Sequence, residues 1–389
     1  MRVLHIISSC GMYGAEAVIL NLSRTLNEGP HRSTLGVFLN SSNPNLQLHE
    51  SASREGIESH LIPCEGRLDR TAIRRIRELA AQTGADVVHA HGYKADLYVY
   101  FALRRSNVAL VSTCHTWYDV VDAKDYFYGV MDRLILRSYG KIVAVSEGVR
   151  EYLLRAGVRA DKISMIRNGI DLRTFDRVSA GVKDELGWSA YPLVGLVARL
   201  SIEKGVDIFL AAAARVLAEV PEAKFVVVGD GPDRAKLDAL IDELGIRGRV
   251  RMLGRRDDMP AVYASLDLMV SSSRREGLPM AILEGMASRL PLIATAVGGV
   301  PTVVLDGRTG VLVPAEDPAA LATGIIELLR DDAQRERLGS AARQLVEDEF
   351  SAQRMTADYL RVYEAAVAKA AKRRGRWGKS SVDPRGNTQ

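Results

Sequence analysis

The segment Leu266-Asp267-Leu268-Met269-Val270-Ser271-Ser272-Ser273-Arg274-Arg275-Glu276-Gly277-Leu278-Pro279-Met280-Ala281-Ile282-Leu283-Glu284 sets an apolar run, a polar loop and a second apolar run in succession. Leu266 to Val270 reads as a buried strand, and Gly277 to Met286 as a helix whose first turn takes Pro279, where a missing N–H is harmless. A loop therefore feeds a helix N-terminus at the carboxyl end of a strand. In an open α/β sheet that junction combines unpaired backbone N–H groups with the positive end of a helix dipole, which suits a phosphate. Glu276 on the loop and Glu284 two turns into the helix then suit hydroxyls, because a carboxylate is a poor neighbour for phosphate and a good acceptor for a vicinal diol. Phosphate and sugar together point to a nucleotide sugar, with Gly277, Leu278 and Pro279 as further donor-binding candidates. The plain alternative is a solvated helix residue and a loop charge.

Alternation of strand and helix extends from this segment in both directions. Upstream in the same unit are Leu193 to Ala198, a helix over Val206 to Ala218, Lys224 to Val228, a helix over Arg234 to Leu244 and Val250 to Leu253. Downstream are Leu292 to Ala294 and Val311 to Val313. The first part of the chain repeats the pattern: Val3 to Ile7, a helix from Ala15 to about Glu28, Leu35 to Leu39, Ile57 to Ile62, Thr71 to Ala81, Asp86 to His91, Ala95 to Arg104, Val108 to Thr113, Tyr126 to Arg137, Lys141 to Val145, Glu147 to Arg155 and Ile163 to Ile166. Such alternation predicts two doubly wound parallel sheets of the α/β class. The expected division is 1–167, a linker over 168–190, and 191–350, with a cleft where the carboxyl ends of the two sheets face each other. Amphipathic helices follow over Asp317 to Arg330, Asp332 to Val346 and Ser351 to Lys369, and a basic tail over 372–389 reads as disordered.

Several side chains sit where such sheets hold ligands. Arg199 and Lys204 leave the strand ending at Ala198, and they are either two surface charges flanking a turn or a guanidinium fork with an ammonium that suits a diphosphate. Lys204-Gly205 opens a helix, where a cation opposes the dipole unless an anion is present. Gly229 in Val228-Gly229-Asp230-Gly231-Pro232 starts the next helix or borders the donor. Arg255 lies in the loop expected to meet the base. Gly298-Gly299 either turns the chain or offers N–H groups to phosphate. In the first unit, Gly14 either turns the chain tightly or lets backbone approach a sugar or phosphate, and His115 follows a strand where it is either a satisfied core histidine or a donor to a sugar hydroxyl or an incoming oxygen. His89 and His91 share a strand face, as a metal pair would need. No third ligand is evident, so His89 is read as packing and His91 as an acceptor contact. No Asp-x-Asp follows an apolar strand, so no metal or other cofactor is expected.

Composition excludes other classes. The chain has 389 residues, 47% hydrophobic and 26% charged, which suits globular domains. A net charge of +4 is mild, and no nucleic-acid partner is expected. Three cysteines, Cys10, Cys64 and Cys114, show no metal spacing and favour a reducing cytoplasm. No apolar run approaches the ~20 residues of a membrane span. Arg67, Arg70, Arg74, Arg75 and Arg77, with Arg104-Arg105 and the tail, are read either as a solvated face or as a peripheral contact with anionic lipid.

At these residues the chain resembles the retaining GT-B glycosyltransferases of glycosyltransferase family four, from Val3 to about Tyr363. The most specific parts are Glu276 to Glu284, matching the family's Glu-x7-Glu motif, and Gly195 to Gly205, with Ala198 where glycine is usual. Thr302 stands where many members have glutamate, and Ser272 where proline before serine is common. The resemblance implies two Rossmann-like domains, the first for the acceptor and the second for a nucleotide-diphosphate sugar, with helix 351–371 crossing back to the first. By it, Arg199 and Lys204 bind the diphosphate, Glu284 the ribose and Glu276 the transferred sugar. His115 sits beside the reacting centre, and Gly14 borders the phosphate. The implied reaction moves a hexose to a glycan or lipid-linked acceptor, with retention and without metal, in surface polysaccharide or glycolipid synthesis. A GT-B epimerase or phosphorylase and a non-catalytic nucleotide-sugar-binding protein stay open as alternatives. A NAD-dependent dehydrogenase is disfavoured, because no acidic residue ends the second strand.

Overall fold

Apolar runs too short for helices and without alternation become parallel strands buried on both faces, as in Arg2–Ile7, where every residue after Arg2 is buried. The computed structural model describes residues 1–9, 11–12, 14–41, 44–65, 68–115, 134–176, 178–179, 181–277 and 279–379. Cys10, Arg67, Leu278, most of the helix expected over 126–137 and residues 380–389 of the tail lie outside them.

The described chain forms two compact units, Met1–Gly169 with the C-terminal segment, and Ile170–Ser351. The strands of the first are β1 Arg2–Ile7, β2 Arg32–Asn40, β3 Glu58–Cys64, β4 Val87–His91, β5 Ala109–Cys114, β6 Lys141–Ala144 and β7 Ile163–Met165. They pair in the order β3-β2-β1-β4-β5-β6-β7, all parallel. The second unit holds β8 Leu193–Val197, β9 Lys224–Val228, β10 Val250–Gly254, β11 Leu268–Ser271, β12 Leu292–Thr295 and β13 Val311–Val313. Their order, β10-β9-β8-β11-β12-β13, repeats the same plan. In each sheet the order reverses beside the first strand, at β1/β4 and at β8/β11. Loops leaving neighbouring strands there part to opposite faces and leave a crevice.

Register fixes what meets at these points. His5 stands opposite His89 and Ile7 opposite His91 across β1 and β4, while His91 stands opposite Thr113 on β5. Helices cover both faces, held by caps such as Asp69, which accepts from the N–H groups of Thr71 and Ala72, and Asp317, which does the same for Ala319 and Ala320. In the second unit Phe209 meets Phe225 edge-on at 5.8 Å within a core of aliphatic side chains.

Three expectations need correction. Residues expected as a linker are packed against the second unit, where Ser265 Oγ accepts from Gly181 and Val182 N–H and Lys183 pairs with Asp267 at 2.7 Å. Short helices at Gln47–Arg54 and Met259–Ala264 add to the expected set. The last helix runs Ala352–Lys379, past the expected end at 371. Its basic run contains no proline to stop it. Met355, Tyr359, Val362, Tyr363 and Ala366 form its buried stripe.

Candidate active site

The second sheet gathers its charged groups at β8/β11. Lys204 lies in the loop leaving β8 and Glu276 in the loop leaving β11, and Lys204 Nζ comes within 2.6 Å of Glu276 Oε1. Ser273 Oγ donates to the same oxygen at 2.7 Å. The Glu276 side chain is only 7% exposed, so this partnership is well shielded from water. Backbone contacts hold the loops at this distance. Gly205 is left-handed at φ 61°, where a Cβ would collide with the Ser272 carbonyl, and Ser272 Oγ donates to Gly205 O at 2.7 Å. Gly298, at φ 52°, likewise has room only because it lacks a Cβ that would strike the Glu276 carbonyl. Gly299 N–H donates to Gly277 O at 2.9 Å, so it braces the Glu276 loop instead of facing a phosphate. Arg274 forks onto Asp207 at 2.8 Å and reaches Glu316 at 2.6 Å, holding the Asp207 carboxyl below its usual range.

Glu284 projects from the helix Met280–Ala287, and its Oε2 accepts from the Tyr263 hydroxyl at 2.7 Å. Burial raises the Glu284 carboxyl, and burial together with the Glu284 charge raises the Tyr263 hydroxyl. Tyr263 is a site residue that the sequence reading missed; it sits on one of the two short helices also missed. The helix starts at Met280, later than expected, because Pro279 stands before it in extended geometry, ψ 132°. Gly277 is exposed with open space where a Cβ would stand, which leaves its backbone approachable.

The other expected donor contacts make no bond to this cluster among the described residues. The Arg199 side chain is exposed, makes no ion pair or hydrogen bond to the described residues, and lines a hollow of about 590 Å³ with Glu203, Asp207, Pro232 and Lys236. Gly229, at φ 133°, is packed against the Ala198 carbonyl and Gly231 against Leu200, so this turn seats the 198–200 loop. Arg255 is half-exposed with its Nε 3.7 Å from Asp257, whereas Arg256 is committed to Asp258 and Glu185.

The first sheet places imidazoles at its own β1/β4 edge. His115 Nε2 and His91 Nδ1 share a hydrogen bond of 3.0 Å, as do His91 Nε2 and His5 Nδ1. His89 bonds Tyr363 Oη at 2.8 Å and Thr113 Oγ1 at 2.7 Å, and Thr113 Oγ1 lies 3.1 Å from Tyr359 Oη. Burial lowers His5 to about 3 and His115 to about 4; His89 and His91 fall well below 6.5 through burial and neighbouring imidazoles. His5 thus supplies the third imidazole beside the His89/His91 pair, with ligand atoms within 4.8 Å of one another. Both nitrogens of His89 and of His91 are already hydrogen-bonded, which fits a polar network better than an ion. Gly14 opens the helix Gly14–Glu28 that follows β1. Arg77 bonds the Ala102 carbonyl and Arg104 lies over Tyr100 and Phe101, so part of the basic face is engaged in packing. Among the described residues no helix is long and apolar enough to cross a membrane.

Comparison with known proteins extends this geometry. The family model for glycosyl transferases group 1 matches residues 183–345, and that for Glycosyltransferase Family 4 matches residues 12–174. The chain is 27% identical over 360 residues to N-acetyl-alpha-D-glucosaminyl L-malate synthase of Bacillus anthracis, covering 90% of this chain and 93% of that protein. It is 31% identical over 312 residues to D-inositol 3-phosphate glycosyltransferase of Salinispora arenicola, covering 73% and 69%. In fold it is similar to Anabaena HepE, solved in complex with UDP, with a TM-score of 0.80 at 21% identity over 94% of this chain and 100% of that one. Sucrose-phosphate synthase from Thermosynechococcus elongatus gives 0.78 at 22% identity over 95% and 100%.

Proposed function

This chain belongs to the group 1, family 4 glycosyltransferases and has their GT-B fold, and from that premise we propose that it moves a hexose-type sugar from a nucleotide-diphosphate sugar to a glycan or lipid-linked acceptor, retaining anomeric configuration without a bound metal. The observation that carries this reading is the Lys204–Glu276 pair, which joins the loops leaving β8 and β11 at the sheet's switch point, with Glu284 on the helix that follows. An ammonium has three donors; Glu276 engages one, leaving two for phosphate oxygens. Glu276 Oε1 already receives two donors, so Oε2 is the oxygen for a sugar hydroxyl. Tyr263 holds Glu284 Oε2, which leaves Oε1 for the ribose.

As the bond from the anomeric carbon to phosphate lengthens, negative charge grows on the leaving diphosphate. Lys204, the exposed guanidinium of Arg199 and backbone N–H groups near Gly277 answer that charge, with no Asp-x-Asp pair at hand to hold a metal. His115 donates to a hydroxyl beside the reacting carbon. Retention follows when the leaving phosphate takes the acceptor's proton on the face it departs from. Relatives named for N-acetyl-glucosaminyl L-malate synthesis and for glycosyl transfer with inositol 3-phosphate support a small polar hydroxyl acceptor as much as a glycan.

A thermal-unfolding screen of uridine, guanosine, thymidine and adenosine diphosphate sugars tests the donor. One class is expected to protect, by ~2.7 kcal/mol at about 100 times its dissociation constant. Transfer from that donor with the product's anomeric configuration read by NMR, with and without chelator, tests the rest. Protection by none, an inverted product or loss of rate in chelator each contradicts the corresponding part.

A further inference from the structure

His5 and His91 have no part in the roles proposed so far, yet they form a continuous hydrogen-bonded chain to His115, with 3.0 Å at each link. In a neutral imidazole one nitrogen donates and the other accepts, and the partner of one nitrogen decides the role of its neighbour. Burial holds these rings uncharged. The chain therefore has two proton arrangements, which run in opposite directions. In the first, His5 Nδ1–H donates to His91 Nε2, His91 Nδ1–H donates to His115 Nε2, and the His115 proton stands on Nδ1. In the second, every proton is transposed: His115 Nε2–H donates to His91, His91 Nε2–H donates to His5, and His5 carries its proton on Nε2.

The inner end of the chain selects between them. His5 is fully buried, and its Nε2 has no hydrogen-bond partner among the described residues. An orphaned buried N–H is rarer than an under-satisfied buried acceptor, so the arrangement that leaves this nitrogen bare is favoured. At the outer end His115 is half-buried, and its Nδ1 makes no hydrogen bond to the described residues.

We propose that His5 and His91 are positioning residues that fix His115 as the Nδ1–H tautomer, so that His115 donates a hydrogen bond to a substrate hydroxyl and does not accept its proton. The assignment rests on the reading of His115 as a sugar contact, and it removes His115 as a general base. The acceptor's proton must then leave by way of the departing phosphate.

Long-range proton–nitrogen NMR on the full chain labelled in its seven histidines reads the tautomer without any substrate. A protonated Nδ1 and a bare Nε2 on both His115 and His91 are expected, and an Nε2–H tautomer of His115 overturns the proposal. Activity supplies a second arm. His91→Asn puts an amide N–H where Nδ1–H stood and is expected to keep kcat within about threefold, whereas His91→Leu lowers it roughly tenfold at unchanged donor KM. Equal losses in the two variants overturn the positioning role, and if His91→Leu does not fold the wild-type tautomer still decides. Unaltered turnover in His115→Ala would instead remove the sugar-contact reading while leaving the tautomer result intact.

Discussion

Lys204 Nζ and Glu276 Oε1 are 2.6 Å apart although 72 positions separate them in the chain. The pair ties the loop after β8 to the loop after β11 and keeps each group oriented before any substrate arrives. Such preorganised charge is more effective at a transition state than charge that must be gathered during the reaction.

Lys204→Ala is expected to lower turnover by about 10²–10³-fold, the usual effect of losing one preorganised electrostatic contact. It should also lower the melting temperature, because a shielded carboxylate is left without its cation. Adding Glu276→Gln to that variant is expected to recover the melting temperature and leave turnover low. Calorimetry beside initial rates separates the two effects, and near wild-type turnover in Lys204→Ala would defeat its assignment.

Glu284→Ala should weaken donor binding and change kcat little, since its contact lies far from the bond being broken. Tyr263→Phe removes one hydrogen bond from that carboxylate and is expected to cost roughly fivefold in donor affinity, about 1 kcal/mol. Because burial raises the Glu284 carboxyl, affinity is expected to fall with acidification through that raised value. Titration calorimetry showing intact affinity in Glu284→Ala would contradict the ribose contact.

The two glycines flanking this loop should respond differently. Gly298→Ala sets a Cβ against the Glu276 carbonyl at positive φ and is expected to destabilise by about 1–3 kcal/mol while displacing Glu276. Gly277→Ala meets open space and should leave the melting temperature unchanged, yet reduce donor affinity if donor phosphate approaches its backbone. Chemical denaturation and donor titration on both variants check the contrast.

The buried histidines make stability depend on pH in a stated direction. His5 falls to about 3 and His115 to about 4 in the folded chain, from 6.5 unperturbed, so below 6.5 the unfolded chain binds more protons. Their contribution is complete above about 6.5 and is lost as pH falls toward 4, at up to ~1.4 kcal/mol per pH unit for each ring. Melting temperatures across that range should fall more shallowly in His5→Phe than in the wild type. Parallel slopes would show that His5 titrates normally.

Strands and long helices were legible because burial on both faces leaves continuous apolar runs, and the loop–helix junction at Glu276 carried its own polar signature. Met259–Ala264 was missed because six residues with a proline in second place make too little periodicity to distinguish from a loop, and Tyr263 went with it. The His89/His91 pair was visible through its two-residue spacing. His5 was not, because within an apolar strand nothing marks a histidine as polar, and only the β1–β4 pairing brings it beside them. The bracing roles of Gly229 and Gly299 depend on carbonyls in other loops, which no local pattern specifies.

Tyr359 and Tyr363, on the helix Ala352–Lys379, bond Thr113 and His89 deep in the first sheet. That sheet therefore cannot satisfy its interior during synthesis until this helix has left the ribosome. The continuous stretch Ile170–Ser351 is free to fold beforehand. A nascent chain stalled before Ala352 would carry one finished half and one with an open seam, the state most exposed to chaperones and proteases.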